Sequence, residues 1–283
     1  KPLEALSEKQ LNQMIELANT AFHQDGEPIM EDNAFDLMRE FVENKFPKAK
    51  ALEEVGAQVE KNKVKLPYEM WSMDKIKPDT NVIDKWREKY TGPYVISCKL
   101  DGVSGLYSTE GDQPKLYTRG DGKVGQDISH MIPYLQLPAL KGLVIRGEFI
   151  IEKSRFESKY SEQFANPRNL VAGIVNQKTA DPAKYADIHF VAYEVIKHPD
   201  VEEKQLTASK QMHLLDTMNI ETVQYKLLDA DSLNNNVLSD LLQQWRNDYF
   251  YEIDGIIVVN DKVYSRVSGN PKHAFAFKMV LSD

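Results

Sequence analysis

Tyr94-Val95-Ile96-Ser97-Cys98-Lys99-Leu100-Asp101-Gly102 begins as an apolar strand and ends by delivering an amine to its mouth. In a strand, Val95, Ser97 and Lys99 share one face, and Ile96, Cys98 and Leu100 share the other. Cys98 therefore reads as a small buried hydrophobe. Lys99 is harder to place. A free lysine, with a pKa of roughly 10.4, is a poor nucleophile at neutral pH, and partial desolvation or nearby cations favour its neutral form. Taken alone, K-x-D-G is a four-letter pattern that arises by chance, and a surface lysine at a strand end is the ordinary reading. What surrounds the amine has to decide.

The chain has 283 residues and a formal net charge of -8. That length allows one large domain or two smaller ones, with a real hydrophobic core. No stretch approaches the ~20 apolar residues of a membrane span, so no membrane association is expected. The first residues, KPLEALSEKQ, are polar and read as no signal peptide. The single cysteine excludes an internal disulfide and a cysteine-based zinc site, and fits a reducing compartment. The acidic balance argues against a surface coated in basic residues. It leaves nucleic acid open, because affinity follows local patches.

No internal repeat or low-complexity segment is present. Ser7 with Gln10 forms a capping-box pattern, and Leu11, Ile15, Ala18 and Phe22 recur on one helical face. A second helix is expected over residues 32–46, stopped by Pro47. A lysine-rich connector, residues 60–65, leads to a third helix near 82–90. Strand-like runs follow at 94–100, 144–151, 188–196, 253–259 and 274–280, with helices between them. Ser154-Arg155-Phe156-Glu157 reads as a capping box, Thr207 opens another helix, and residues 233–245 supply a third. The pattern predicts an α+β protein: a small helical N-terminal domain over residues 1–70, then a mixed, mainly antiparallel-sheet domain over 71–283.

Further segments give Lys99 its company. They are Thr118-Arg119-Gly120-Asp121-Gly122, Ile145-Arg146-Gly147-Glu148-Phe149 and Phe164-Ala165-Asn166-Pro167-Arg168-Asn169. Phe190-Val191-Ala192-Tyr193, Ile253-Asp254-Gly255-Ile256-Ile257 and Ala274-Phe275-Ala276-Phe277-Lys278 follow. This ordered set resembles the nucleotidyltransferase superfamily of DNA ligases, RNA ligases and capping enzymes. The T-R-G-D-G, R-G-E and F-A-N-P-R-N forms resemble its NAD-dependent DNA ligase branch, from about residue 97 to the end of the chain. For residues 71–283 the resemblance implies the ATP-grasp-like nucleotidyltransferase fold of DNA ligases. Phe22-His23 and Asp32-Asn33-Ala34-Phe35-Asp36 resemble the helical domain that grips the nicotinamide mononucleotide (NMN) half of NAD in that branch. An aromatic ring can stack on nicotinamide, and carboxylates can meet its cationic ring and ribose hydroxyls. Phe22 and Phe35 replace the family's usual tyrosines; on periodicity alone they read equally as core, and Asp32 also reads as a helix cap. Ser72-Met73-Asp74 resembles the family's S-L-D segment beside the adenine.

The resemblance implies a three-step reaction. Lys99 attacks the α-phosphorus of NAD, releasing NMN and forming lysyl-AMP. The AMP moves to the 5′-phosphate of nicked DNA, and the 3′-hydroxyl then displaces it. Lys278 would neutralise the α-phosphate. Arg119 and Arg168 would hold ribose and phosphate oxygens, and Glu148 a ribose hydroxyl. Tyr193 would stack on adenine, and Ser97 would meet the base. Asp101 and Asp254 would orient the lysine or help bind Mg²⁺; no metal-ligand set is assigned. Nicked double-stranded DNA and NAD are the expected partners of an intracellular monomer, in a host cell if the source is viral.

Three positions depart from the family pattern. Ser97 stands where relatives commonly carry glutamate, Asn176 where an arginine is expected, and Val259 where a lysine is usual, with Lys262 nearby as a substitute. They suggest a divergent lineage, of the kind found in large DNA viruses or phages. Lys278 lies five residues before the end of the chain. The expectation is an adenylation fragment without the OB-fold, zinc finger, helix-hairpin-helix and BRCT parts, binding DNA weakly. The competing readings are an ATP- or GTP-using RNA ligase or capping enzyme, a decayed nucleotide-binding module, and, more distantly, a Schiff-base lysine enzyme.

Overall fold

A computed structural model describes residues 7–20, 41, 63–177 and 181–278. The capping box at the start forms as expected: the Ser7 amide donates to Gln10 Oε1 at 3.0 Å and the Gln10 amide to Ser7 Oγ at 3.3 Å. Helix α1, Glu8–Thr20, follows and buries Leu11 and Ile15. The helix expected over 32–46 lies outside the described residues apart from residue 41. Phe22, His23, Asp32, Phe35 and Asp36 lie outside them entirely.

The remainder is α+β, as the interleaved pattern predicts. After strands β1 (Lys63–Lys65) and β2 (Lys75–Ile76) comes helix α2 (Val82–Lys89). Strands β3 (Tyr94–Leu100), β4 (Val103–Ser108), β5 (Lys115–Thr118), β6 (Val124–Gln126) and β7 (Val144–Ile150) follow. Helices α3 (Lys153–Lys159), α4 (Pro167–Asn176) and α5 (Pro182–Tyr185) precede β8 (His189–Lys197). Helix α6 (Ala208–Asp216), strands β9 (Glu221–Thr222) and β10 (Tyr225–Leu228), helix α7 (Asn235–Asp248) and strands β11 (Ile253–Asn260) and β12 (Ala274–Phe277) complete the order.

Two five-stranded sheets result, ordered β10-β3-β11-β12-β2 and β5-β4-β7-β8-β9. Pairing is antiparallel within them except at β12–β2 and β8–β9. Strands β3 and β4 belong to different sheets, yet only Asp101 and Gly102 separate them. The K-L-D-G segment is thus where the chain passes from one sheet to the other. Gly102 is required there, because a Cβ would stand 2.1 Å from the Phe149 carbonyl oxygen of β7. The core draws Ile96, Cys98 and Leu100 from β3, Phe149 from β7, and Phe275 and Phe277 from β12. Cys98 is buried, and burial pushes its thiol up to about 12, so it behaves as the inert hydrophobe expected.

Local signals are realised with one correction. Thr207 caps α6, accepting from the Lys210 amide at 3.2 Å, and Asn234 caps α7. Ser154 does not cap α3. Glu152 occupies that position without a side-chain cap bond, because it is bridged to Tyr251 while the Lys153 amide donates to the Phe250 carbonyl at 2.9 Å. Pairing with the β11 approach, and not serine chemistry, sets that helix start. Residues 63–70, read above as connector and domain end, pack on the sheets: β1 pairs with β6, and Leu66 and Met70 are buried with Leu106, Val144 and Ile196.

Candidate active site

Strand β3 runs with both faces covered, and only at Lys99 does it become partly open. There it meets β11. The register between the two strands shifts between Ile253 and Gly255, leaving Asp254 as an extra residue opposite the Leu100–Lys99 step. A bulge of this kind re-aims a side chain. Asp254 reaches Lys99 Nζ at 3.0 Å and 3.3 Å through its two oxygens. Lys278, just beyond β12, reaches Asp254 Oδ2 at 3.1 Å. One carboxylate therefore lies between two ammonium groups, each of the three side chains a little over a quarter exposed.

Strand β7 forms the facing wall. Arg146 and Glu148, two residues apart, share one side of it and are buried. Burial pushes the Glu148 carboxyl up to about 7, against Lys99, the Gly102 amide and Arg146, which favour its ionised form. The Gly102 amide donates to Glu148 Oε2 at 3.3 Å. A second register shift, between Arg146 and Gly147, leaves Tyr193 as the extra residue on β8. The Tyr193 hydroxyl lies 2.8 Å from Ser104 Oγ. Burial also raises the Asp101 carboxyl; Asp254 reinforces that, while Arg168, Lys99 and Lys278 oppose it.

These groups converge on one cavity of about 440 Å³. Ser72, Met73, Ser97, Lys99, Asp101, Arg119, Glu148, Arg168, Tyr193 and Asp254 all line it. Lys278 joins through Asp254. Arg119 follows β5, and its Nε donates to the Met70 carbonyl at 2.8 Å. Arg168 is carried on the first turn of α4, whose start is fixed by Pro167 and by Asn166 Oδ1 accepting from the Asn169 amide at 2.8 Å. Val259 and Lys262 line the same cavity.

Sequence reasoning passed over Arg146, Trp71, Glu194 and Arg266, which also line the cavity. Arg146 carried a usable signal, its i, i+2 spacing from Glu148 in a buried strand. Arg266, from the loop after β11, carried none. The carboxylates offer oxygen donors of the type Mg²⁺ takes, but Asp254 is already engaged by two cations. Among the described residues no group of three or more histidine, cysteine or acidic side chains is placed to hold a metal.

A lysine and its bridging aspartate at the junction of two sheets, with a buried glutamate lining the same cavity, fit the nucleotidyltransferase class that the sequence resembles. The model of the NAD-dependent DNA ligase adenylation domain matches residues 52–281, and the chain belongs to that family. It is 38% identical over 98% of its length to a DNA ligase of Acanthamoeba polyphaga mimivirus, of which it covers 43%. It is 29% identical over 95% of its length to the DNA ligase of Clostridioides difficile (strain 630), of which it covers 45%. The chain thus spans less than half the length of these relatives.

Proposed function

We propose that this chain carries out the adenylation chemistry of an NAD-dependent DNA ligase, with Lys99 as the nucleophile. The single observation that carries this reading is the Lys99–Asp254–Lys278 bridge, set in a cavity opposite Glu148. The Lys99 ammonium passes a proton to the Asp254 carboxylate, 3.0 Å away, and the neutral amine attacks the α-phosphorus of NAD. A nitrogen–phosphorus bond forms, the bond to the NMN oxygen breaks, and NMN leaves. Asp254 orients the amine through a charge-assisted hydrogen bond. Lys278, held by the same carboxylate, sits where it can meet negative charge developing on the phosphoryl oxygens. Glu148 accepts from a ribose hydroxyl, Arg119 and Arg168 hold oxygens of the sugar and phosphates, Tyr193 stacks on the base, and Ser97 and the Ser72-Met73 segment border it. Bound Mg²⁺ would neutralise phosphate charge during transfer. AMP then passes to the 5′-phosphate of nicked DNA and is displaced by the 3′-hydroxyl.

Division near residue 70 belongs to the same proposal: the N-terminal part, with Phe22, His23, Asp32, Phe35 and Asp36, grips the NMN half. The family match supports NAD over ATP as donor. The higher identity to the viral ligase than to the bacterial one supports a viral or phage lineage. Intact-protein mass spectrometry tests the reading. Incubation with NAD and Mg²⁺ should add one adenylate, and incubation with ATP should add none. An adduct from ATP alone, or none from NAD, would overturn it.

A further inference from the structure

Two segments face each other across the cavity: residues 69–74, before β2, and the loop 265–272, before β12. Trp71 and Met73 line it from one side, and Ser265, Arg266 and Pro271 from the other. Exposed polar pairs join their outer edges. Ser268 Oγ donates to Glu69 Oε2 at 2.9 Å, Asn270 Nδ2 to Asp74 Oδ1 at 3.1 Å, and Lys272 Nζ lies 3.3 Å from Asp74 Oδ2. Water competes for each of these, so they hold the segments weakly.

Arg266 is different. Its guanidinium meets three partners at once. Nη1 donates to Glu194 Oε1 at 2.5 Å, Nη2 donates to the Glu69 carbonyl at 2.6 Å, and the group lies 4.2 Å from the centre of the Trp71 ring. A planar fork that hydrogen-bonds along two directions while stacking on an indole is a role lysine cannot fill. Glu194 is itself anchored, with its other oxygen 3.9 Å from buried Arg146. Arg146 in turn donates to the Trp71 carbonyl at 2.8 Å. The 69–74 wall is therefore gripped from both sides by two arginines that share one carboxylate.

We propose that Arg266 is a positioning residue, a latch that fixes the Trp71 wall and so sets how tightly the cavity holds the nucleotide. The proposal rests on the adenylation reading above. The latch touches neither Lys99 nor Asp254, so its loss should weaken nucleotide binding and leave the transfer step intact.

The test is single-turnover adduct formation against NAD concentration. Arg266→Ala should raise half-saturation at least about tenfold with the maximal rate held within about threefold, the mark of lost uniform binding. Arg266→Lys should fall between, restoring charge opposite Glu194 but not the fork or the stack. The double variant Ser268→Ala, Asn270→Ala should stay within about twofold of wild type in half-saturation. If Arg266→Ala fails to fold, as thermal melting would show, Arg266→Lys carries the test. Half-saturation like that of wild type in whichever variant folds, or a maximal rate that collapses at unchanged half-saturation, overturns the latch. NAD binding at equilibrium, read by the fluorescence of Trp71 against a Trp71→Phe control, separates the two proposals. A wild-type chain that binds NAD but forms no adduct sinks the adenylation reading alone; equal NAD binding by wild type and Arg266→Ala sinks the latch alone.

Discussion

At the scale of single residues, charge and burial divide the labour. Lys99 contributes an amine at a partly open position, and Asp254 keeps Lys278 as a partner when that amine is gone. Lys99→Ala should therefore abolish the adduct in mass spectra while the circular dichroism spectrum and melting temperature stay near wild type. Glu148 makes the opposite bargain. Its folded carboxyl titrates near 7, above the ordinary 4.5, so the folded state keeps a proton that the unfolded state has already lost. Stability must then fall as pH rises from about 4.5 through 7, by at most on the order of 3 kcal/mol. Glu148→Gln keeps an acceptor for the Gly102 amide and removes the charge. Its melting temperature should gain on wild type between pH 5 and pH 8, and an offset that does not change with pH would refute the argument.

At the scale of elements, strand identity and strand aim were unequally legible. The runs at β3, β7, β8 and β11 announce themselves through apolar and β-branched content, and the caps at Ser7 and Thr207 through local chemistry. The Ser154 pattern misled because a bridge to a distant segment overrode it. The bulges at Asp254 and Tyr193 were invisible, since an extra residue is defined only against the partner strand. Those bulges aim Asp254 and Tyr193. Beside the first sits Gly255, where a Cβ would stand 2.6 Å from the Phe277 carbonyl and 3.1 Å from Lys278 Cγ. Gly255→Ala must push β12 away, at a cost of about 1–3 kcal/mol. It should slow adduct formation more than tenfold by displacing Lys278, with chemical denaturation reporting the stability and mass spectrometry the rate.

At the scale of the whole molecule, a net charge of -8 opposes a polyanionic partner, so the proposed contact with DNA would have to depend on local patches and would weaken with salt. The N-terminal segment carries its own prediction. Asp36→Ala should impair adduct formation from NAD yet spare the later transfer of AMP to nicked DNA, measured by starting from pre-adenylated protein. Equal loss in both steps would remove Asp36 from the NMN grip.

The sequence by itself determined the alternation of strands and helices, the amine at the end of an apolar strand, and the ordered segments that carry the family likeness. These are properties of composition and spacing along the chain, and they survive without knowing which strand lies beside which. Only the tertiary structure decided that K-L-D-G is the crossing between two sheets, that one aspartate binds two lysines, and that Arg266 closes on Trp71. Each of those depends on pairing register and on segments up to about two hundred residues apart, where the physics is contact between surfaces and leaves no periodic trace in the sequence.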